Sequence, residues 1–325
     1  MTALDPTLDA DAVDAEAARK DTVGWSRLGY EMREPTWDNA DLVHVAGRTV
    51  VVTGATAGLG LATAERLVTL GAHVVLVSRD AAKLERVAAE IESHTGRPVK
   101  AWVQCDLGSL ASVRAAAAEL LERLDEIHVL VNNAGILIHE HLMTEDGFEK
   151  VWATNLLGPY LLTELLMDRL VASAPARVIE VTSGGMYSQR IDVVDHQTLE
   201  QEYDGRAVYS RTKRGQVILT ELRAEQHRDS GVVFHSMHPG WAATPGVYDS
   251  IPDFAAKFED VLRTPAQGAD TIVWLAAADE PARSSGLLWQ DRRARETHRD
   301  ESTKETAEER ARLIELLREQ SQPIS

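Results

Sequence analysis

The stretch Thr49-Val50-Val51-Val52-Thr53-Gly54-Ala55-Thr56-Ala57-Gly58-Leu59-Gly60 joins a β-branched run to a glycine-rich turn and then to a helical pattern. Such a run predicts a buried strand, and the glycines let the backbone turn sharply and approach a bound group closely. A helix that begins directly after the turn presents free N–H groups and the positive end of its dipole. The stretch therefore predicts a strand–turn–helix unit that binds an anion, with the spacing TGxxxGxG instead of GxGxxG.

Further short apolar runs and helical patterns alternate along the rest of the chain. The runs cover residues 73–77, 101–104, 128–131, 177–181, 232–235 and 286–289. The helical patterns cover residues 59–70, 81–93, 110–124, 145–170, 207–227 and 265–278. Nearly continuous apolar strands between helices are typical of a parallel sheet covered on both faces. The sequence predicts an α/β fold: a Rossmann-type, doubly wound parallel sheet of about seven strands flanked by helices, in a single domain.

Composition divides the chain into three parts. Residues 1–45 are an N-terminal extension. Its first part, residues 1–21, is rich in Asp and Ala, which indicates a solvated acidic tail. The rest of the extension is predicted to pack on the core. Residues 46–300 are the sheet-containing domain, without an internal repeat or a Pro/Gly-rich linker. Residues 301–325 include an amphipathic helix expected to lie on that domain, with apolar positions Ala311, Leu313, Ile314, Leu316 and Leu317.

The charge and the cysteine content exclude several classes of partner. The 325 residues carry a formal net charge of −17, which repels nucleic acid and anionic lipid. No apolar run is long enough to span a bilayer, and the N-terminus lacks the basic start and apolar stretch of a signal peptide. Cys105 is the single cysteine, so no intramolecular disulfide forms. These features predict a cytoplasmic protein without a membrane span or a nucleic-acid partner.

The end of the second predicted strand, Ser78-Arg79, bears on the choice of anion. Folds that select NAD carry an acidic residue there, which hydrogen-bonds the ribose 2′-OH. Here Ser78 holds that place, and the Arg79 guanidinium that follows would bind a 2′-phosphate with a bidentate fork. The alternative is a solvated arginine that pairs with Asp80. We favour NADP(H) as the cofactor over NAD(H).

Polar residues further along the chain suggest acid–base chemistry. Tyr209 and Lys213 form a YxxxK pattern on a predicted helix, where positions i and i+4 share one face. An ammonium close to the phenol would favour the phenolate and lower the tyrosine pKa. Ser183 closes the fifth predicted strand, at the edge of the sheet where ligands bind. Asn155 lies inside a helical pattern that it does not favour, which indicates either a water-binding role beside Lys213 or a kink.

In this order and spacing, these motifs resemble the short-chain dehydrogenase/reductase (SDR) superfamily, in its one-domain branch. The matching segments are residues 53–60, Asp106-Leu107, Asn132-Asn133-Ala134-Gly135, the set Asn155, Ser183, Tyr209 and Lys213, and His238-Pro239-Gly240. Segments 25–30, 203–205, 209–216, 238–247 and 289–292 are similar to the SDR family member 12-like subgroup, which is related to the retinol-dehydrogenase-like enzymes. The polar stretch 192–203 departs from the shorter members and would add a loop over the site.

The resemblance implies roles for the matching residues. Ser183, Tyr209, Lys213 and Asn155 would be the catalytic tetrad, in which Tyr209 donates a proton to a carbonyl oxygen that Ser183 holds. The cofactor would contact Gly54, Thr56, Ala57, Gly58, Leu59, Gly60, Ser78, Arg79, Asp106, Leu107, Asn133, Ala134, Gly135, Tyr209, Lys213, Pro239, Gly240, Trp241 and Thr244. The substrate would contact Gly185, Met186, Tyr187 and Trp241, and the segment 242–258 would cover it.

The sequence therefore predicts an NADP(H)-dependent oxidoreductase that interconverts a carbonyl and an alcohol, working as a reductase of an apolar aldehyde or ketone. Two alternatives stay open. One is a non-catalytic NADP(H)-binding sensor; such proteins usually lose the tyrosine or the lysine, which this chain keeps. The other is an epimerase or dehydratase of the longer SDR branch, whose turn is normally spaced TGxxGxxG. Homo-oligomers often form through the helices that carry Asn155 and Tyr209, but an extended N-terminus would block that surface.

Two other constellations have simpler interpretations. His139-Glu140-His141 places two imidazoles on one face of an extended segment, but no third ligand follows at metal spacing. We predict no metal site. Cys105 precedes Asp106 at the end of a predicted strand, where a small buried apolar group is a better interpretation than a redox centre.

Overall fold

The structure, a computed structural model, describes residues 4–322 and has an eight-stranded sheet at its centre. The strands are β1 (Thr49–Thr53), β2 (His73–Ser78), β3 (Ala101–Gln104), β4 (Val129–Asn132), β5 (Ala176–Val181), β6 (Val232–Met237), β7 (Leu287–Gln290) and β8 (Arg293–Arg295). Their order is β3-β2-β1-β4-β5-β6-β7-β8, and only β7 and β8 pair antiparallel. The predicted single-domain, doubly wound α/β fold is confirmed. The sequence pattern does not predict β8, because Arg-Ala-Arg contains no apolar run.

Thirteen α-helices surround the sheet in the described part of the chain. They are α1 (Ala10–Ala18), α2 (Asp21–Gly24), α3 (Arg27–Arg33), α4 (Gly58–Thr69), α5 (Ala81–Thr95), α6 (Leu110–Arg123), α7 (Lys150–Trp152), α8 (Gly158–Ala172), α9 (Gly205–Gln226), α10 (Pro245–Ser250), α11 (Pro252–Phe258), α12 (Pro265–Ala277) and α13 (Ala307–Gln320). A π-helical segment, Ala153–Leu157, joins α7 to α8. Short 3-10 turns cover Glu34–Thr36, Ala40–Val45, Gly184–Ser188, Glu259–Val261, Pro281–Arg283 and Glu301–Thr303.

The apolar side chains of the strands fill two cores, one on each face of the sheet. Along β1, Val51 belongs to one core, whereas Val50 and Val52 belong to the other, because successive side chains point to opposite faces. The first core is covered by α6, α8, α9 and α13, and the second by α4, α5 and α12. Burial on both faces explains why the strands have continuous apolar sequences.

The N-terminal extension is mostly exposed over residues 4–21, in keeping with a solvated tail, but it is partly helical there. Its described part contains α1, in which Ala17 is fully buried. Asp14 pairs with Arg33 and with Arg295, each with a shortest N–O distance of 2.6 Å. Arg33 lies 19 residues from Asp14 and Arg295 lies 281 residues from it, so the composition of the tail does not reveal these ion pairs.

The C-terminal helix packs on the domain as the amphipathic pattern predicts. Leu313, Leu316 and Leu317 of α13 are buried, whereas Ala311 is exposed. At its end, Gln320 accepts a hydrogen bond from Trp152 Nε1 at 2.9 Å. The outermost residues of the two predicted terminal parts, 1–3 and 323–325, lie outside the described residues. Within residues 4–322, none of the helices has both the length and the apolar composition required to cross a bilayer.

Candidate active site

The carboxyl ends of the central strands bring the predicted site segments to one edge of the sheet. The glycine-rich turn follows β1, the segment from Asn133 follows β4, Ser183 follows β5 and His238 follows β6. Successive strands are added toward one edge of the sheet from β1 to β3 and toward the other edge from β4 onward, so the strand order reverses between the parallel neighbours β1 and β4. Open α/β sheets bind ligands at such a switch point, outside the carboxyl ends of the strands.

The turn after β1 forms a cradle that only glycine permits. Gly54 has a φ of +66°, in the left-handed region that favours glycine. A Cβ on Gly60 would lie 2.3 Å from the Gly54 carbonyl oxygen and 2.5 Å from Asn133 Nδ2. Ala57, the N-cap of α4, offers no side-chain acceptor to the first turn. The N–H groups there are consequently free to bind phosphate oxygens.

Asn133 joins the end of β4 to the end of β1. Its Nδ2 donates to the Thr53 carbonyl at 2.8 Å. In return, Thr53 Oγ1 accepts from the backbone N–H groups of Asn133 at 2.9 Å and Ala134 at 3.1 Å. A Cβ on the next residue, Gly135, would lie 3.2 Å from Lys213 Nζ. The segment therefore links the cradle to the lysine of the predicted tetrad.

Arg79 follows β2, directly after one of two hydroxyl groups that lie close together. Thr56 Oγ1 and Ser78 Oγ lie 3.2 Å apart at the end of β2. The Arg79 side chain is exposed, and among residues 4–322 its guanidinium has no partner. Asp80 is engaged elsewhere, because it caps α5 by accepting from Lys83 N at 3.0 Å. Arg79 therefore does not pair with Asp80, as the alternative interpretation proposed.

The turn after β3 holds two of the predicted cofactor contacts, Asp106 and Leu107. Asp106 is exposed, and its Oδ1 accepts from the Gly108 N–H at 2.9 Å. Leu107 is buried, and a Cβ on Gly158 would lie 2.1 Å from the Leu107 carbonyl oxygen. The close packing of α8 against this turn fixes the position of both residues.

Lys213 and Tyr209 project from α9 toward the end of β5. Lys213 Nζ is buried and donates to the Val181 carbonyl at 2.8 Å, and it lies 5.6 Å from the centre of the Tyr209 ring. The Ser183 hydroxyl lies close enough to the Tyr209 phenol to lower its pKa, against the effect of burial. The structure thus brings a hydroxyl pair and an amine together beside Gly135.

Asn155 lies in the π-helical segment, which agrees with the kink, whereas the water-binding role beside Lys213 stays a prediction. Its Oδ1 accepts from Ile136 N at 2.8 Å and its Nδ2 donates to Ile136 O at 2.9 Å. The same Nδ2 donates to Thr212 Oγ1 at 3.2 Å. Single-turn π segments are frequent at functional sites, because they aim a side chain away from its helical position. Through these hydrogen bonds, Asn155 connects the segment after β4 to α9, the helix that carries Lys213.

The pKa of Tyr209 does not follow the prediction from the YxxxK spacing. Burial raises the pKa of the phenol, and the hydrogen bond from Ser183 lowers it by less. The Lys213 ammonium points at the Val181 carbonyl instead of the phenol oxygen, so it does not lower the tyrosine pKa here. Burial also lowers the pKa of Lys213 to about 8, although the nearby Glu180 carboxylate acts to raise it.

Glu180 is a buried carboxylate that the sequence analysis did not include in the site. It accepts from Asn132 Nδ2 at 2.7 Å and Gln216 Nε2 at 3.1 Å, and Arg223 Nη1 lies 3.7 Å away. Burial raises the pKa of this group, against the lowering effect of the Arg223 and Lys213 cations. The sequence does contain a signal for Glu180, because a carboxylate inside the apolar run 177–181 is unusual.

The loop after β6 returns to the glycine-rich turn. A Cβ on Gly58 would lie 3.2 Å from the Thr244 side chain, so this loop covers the start of α4. Gly240 has a φ of +75°, and a Cβ there would lie 2.5 Å from the Arg263 guanidinium. The same guanidinium donates to the Pro239 carbonyl at 3.2 Å. Trp241 is partly exposed and packs on Phe258 with a ring-centre distance of 4.5 Å.

The predicted substrate contacts after β5 fall in different surroundings. Gly185 N donates to Ser183 Oγ at 3.3 Å, directly beside the tetrad. Met186 is fully buried in a cluster with Val217 and Leu288, so its side chain forms part of the core. Tyr187 is partly exposed, and its hydroxyl donates to the Glu296 carbonyl at 2.8 Å.

The remaining polar candidates are engaged elsewhere. His139 Nε2 lies 2.6 Å from the Ser250 carbonyl oxygen, and His141 Nε2 lies 3.0 Å from that of Gln197. Residues 4–322 contain no group of three or more His, Cys, Asp or Glu side chains that could hold a metal. Cys105 is buried, and burial raises the pKa of its thiol to about 12, which suits a packing role.

Comparison with known proteins agrees with this arrangement. A family model for short chain dehydrogenase matches residues 48–253. Human dehydrogenase/reductase SDR family member 12 is 40% identical over 301 residues, which are 92% of this chain and 94% of that protein. Human retinol dehydrogenase 13 is 35% identical over 295 residues, 86% of this chain and 89% of that protein. The chain therefore belongs to the short-chain dehydrogenase/reductase family and is an oxidoreductase of that family.

A solved structure extends the comparison to a dinucleotide complex. A Beutenbergia cavernae protein, described as an NAD(P)-dependent gluconate 5-dehydrogenase with bound NADP, superposes with a TM-score of 0.63 at 26% identity. The match covers 76% of this chain and 95% of that chain. The resemblances that the sequence analysis gives, to the superfamily and to the member 12-like subgroup, are confirmed.

Proposed function

We propose that this protein is an NADP(H)-dependent oxidoreductase that interconverts a carbonyl and an alcohol and works as a reductase of an apolar aldehyde or ketone. The observation that carries the proposal is the Ser183–Tyr209 hydroxyl pair beside the buried Lys213 amine, at the switch point of the sheet. Asn155 completes the set through its bonds to Ile136 and Thr212. This arrangement offers a proton donor, an oxygen-binding hydroxyl and a nearby cation in one place.

The residues at the sheet edge fit a dinucleotide. The cradle of Gly54 and Gly60, which a Cβ would fill, would hold the diphosphate with the free N–H groups of α4. The unpaired Arg79 guanidinium beside Ser78 would bind a 2′-phosphate, which favours NADP(H) over NAD(H). Other residues near the cradle would complete the site: Thr56, Ala57, Gly58, Leu59, Asp106, Leu107, Asn133, Ala134, Gly135, Tyr209, Lys213, Pro239, Gly240, Trp241 and Thr244.

When bound, the nicotinamide would supply or accept a hydride. Ser183 would hold the carbonyl oxygen through its hydroxyl, and Tyr209 would donate its proton to that oxygen. Lys213, as an ammonium, would hold the nicotinamide ribose, and Asn155 would complete the proton relay with water. A phenol is protonated at neutral pH, and burial raises the pKa of Tyr209 further, so its hydroxyl carries the proton that reduction consumes.

Aromatic side chains next to the site support an apolar substrate. Trp241 contacts Phe254 and Phe258 with ring-centre distances of 5.3 and 4.5 Å, and all three side chains are partly exposed. Partly exposed aromatic side chains that gather at one place indicate a binding surface for an apolar group. The contacts of Gly185 and Tyr187 with substrate stay part of the proposal, whereas the burial of Met186 gives it no place in that surface.

The test is NADPH oxidation by the purified protein across straight-chain and aromatic aldehydes and ketones, with NADH in parallel. The proposal expects turnover that prefers NADPH and improves with the apolar size of the carbonyl. Tight NADPH binding without oxidation by any carbonyl would contradict it and would support the sensor alternative. The cytoplasmic location, the three-part division of the chain and the oligomeric state remain predictions that these residues do not test.

A further inference from the structure

Trp25 reaches the predicted tetrad from the N-terminal extension. It lies between α2 and α3, outside residues 48–253 of the family match, and its side chain is partly exposed. A Cβ on Gly184 would lie 2.8 Å from ring carbon Cζ3 of Trp25. Gly184 directly follows Ser183, so a residue from the extension packs against the backbone next to the proposed oxygen-binding hydroxyl.

The indole of Trp25 spans the two loops that flank the site. It meets His238 edge-on at a ring-centre distance of 4.8 Å and Trp241 edge-on at 6.1 Å, both from the loop after β6. It stacks on Tyr187, from the loop after β5, at 6.0 Å. The Arg299 guanidinium lies 4.6 Å from the Trp25 ring centre and 4.4 Å from that of Tyr187. The ring thereby continues the aromatic surface formed around Trp241.

The backbone around Trp25 is held by a buried charge cluster, which we call the Asp291 clasp: Asp291, Arg33, Arg263 and Gln290. Arg33, Arg263 and Gln290 all donate to the Gly24 carbonyl, at 2.9 to 3.0 Å. Asp291 pairs with Arg33 at 2.7 Å and with Arg263 at 2.6 Å.

The clasp therefore fixes the residue immediately before Trp25. The Trp25 carbonyl itself accepts from the Trp241 N–H at 2.6 Å. Hydrogen bonds to the Gly24 and Trp25 carbonyls thus fix the backbone that carries the indole. The indole therefore keeps a defined position, as a side chain that selects substrates must.

We infer that Trp25 is a specificity-determining residue that forms one wall of the substrate cleft and binds the apolar tail of the carbonyl substrate. The inference rests on the proposed function, because it assigns the tail of the substrate of that same site. Trp25 makes no contact with the reacting groups in this role. It sets a preference for long apolar chains over short ones, since a longer chain covers more of the indole face and buries more apolar area.

The experiment compares wild type with Trp25→Ala, Trp25→Phe and the matched control Trp37→Phe. Trp37 belongs to the same extension, but its ring packs on Tyr30 and Arg292 instead of on the cleft loops. One arm measures KM and kcat for butanal and decanal with NADPH. The other arm titrates butanol and decanol into the NADPH-loaded protein, a complex that cannot react because both components are reduced. Thermal unfolding of each variant reports whether the extension is still folded.

The inference predicts that Trp25→Ala weakens decanal and decanol binding about tenfold, because the chain loses its contact with the indole. Butanal, butanol, NADPH affinity and kcat would change less than about twofold, Trp25→Phe would restore most of the loss, and Trp37→Phe would behave as wild type. An equal loss for both chain lengths, or none, with turnover intact would overturn the inference. Trp25-dependent decanol binding without turnover of any carbonyl would overturn the proposed function but support the inference. Absence of both turnover and alcohol binding would overturn both.

Discussion

The cofactor-side loops, which follow β1, β2 and β4, and the substrate-side loops, which follow β5 and β6, share one edge of the sheet but are held differently. The cofactor-side loops are fixed by glycines and by side chain–backbone hydrogen bonds between the ends of neighbouring strands, such as those between Thr53 and Asn133. The substrate-side loops are fixed by residues from both ends of the chain, through Trp25 and Asp291. A cradle built from glycines suits the diphosphate of a dinucleotide, whereas supports from side chains far apart in the sequence suit a substrate site.

The largest expected effect is on the substrate side, at the Asp291 clasp. Burial acts to raise the pKa of Asp291, but the Arg263 and Arg33 cations have the larger combined effect and lower it below its usual value. The carboxyl therefore stays ionised. Asp291→Asn keeps a residue that tolerates the φ of +52° and removes only the charge. Because two buried cations lose their partner, we expect the free energy of unfolding to fall by about 4 kcal/mol.

Chemical denaturation checks this value, with Glu31→Gln as the control at an exposed pair that contributes little. Since the folded pKa of Asp291 is lowered, its contribution is present above the unfolded pKa and disappears as the pH falls through the folded value. An equal stability of Asp291→Asn and wild type at pH 7 would show that the chain ends do not support the substrate side.

On the cofactor side, the sharpest change is Gly60→Ala. The added Cβ would meet the Gly54 carbonyl oxygen at 2.3 Å, and backbone cannot yield as a flexible side chain does. We expect a loss of about 3 kcal/mol in the free energy of unfolding and a large rise in the NADPH dissociation constant. Gly246→Ala is the matched control, because no heavy atom lies within 4 Å of its Cβ position. Similar behaviour of the two variants would contradict the account of the cradle.

A smaller effect separates the two dinucleotides. Arg79→Gln removes the free guanidinium, so we expect the KM for NADPH to rise about tenfold, as for the loss of one charged hydrogen-bond pair. The KM for NADH should stay within about twofold, because NADH has no 2′-phosphate. Equal effects on both cofactors, measured by initial rates, would place Arg79 outside the 2′-phosphate site.

The smallest effect is a shift of a pH profile. Burial lowers the pKa of Lys213 to about 8, so its cation is present below that pH and lost above it. Reductive kcat/KM should therefore fall as the pH rises through about 8. Glu180→Gln removes the carboxylate that raises this pKa and should move the fall to lower pH. Glu164→Gln is the control, because it pairs with the same Arg223 but is not among the groups that shift Lys213. An unshifted profile in Glu180→Gln would contradict the coupling.

The sequence predicts the cofactor side better than the substrate side for a physical reason. The strand β1, the glycine-rich turn and α4 are encoded by neighbouring residues, so a local pattern reveals them. The ordered α1 depends on Asp14 meeting Arg295, and the position of Trp25 depends on Arg263 and Asp291, contacts that no local pattern contains. The pKa of Tyr209 likewise depends on where Lys213 Nζ points, and spacing on a helix does not determine that direction.

The most direct test of the central claim, that the Ser183–Tyr209 pair beside Lys213 performs proton transfer, is the variant Tyr209→Phe. Both NADPH affinity and the rate of carbonyl reduction are measured on the same preparation. We expect unchanged NADPH binding and a fall in turnover of about 1,000-fold, because only the proton donor is removed. Turnover within a few-fold of wild type would contradict the claim and place the chemistry elsewhere.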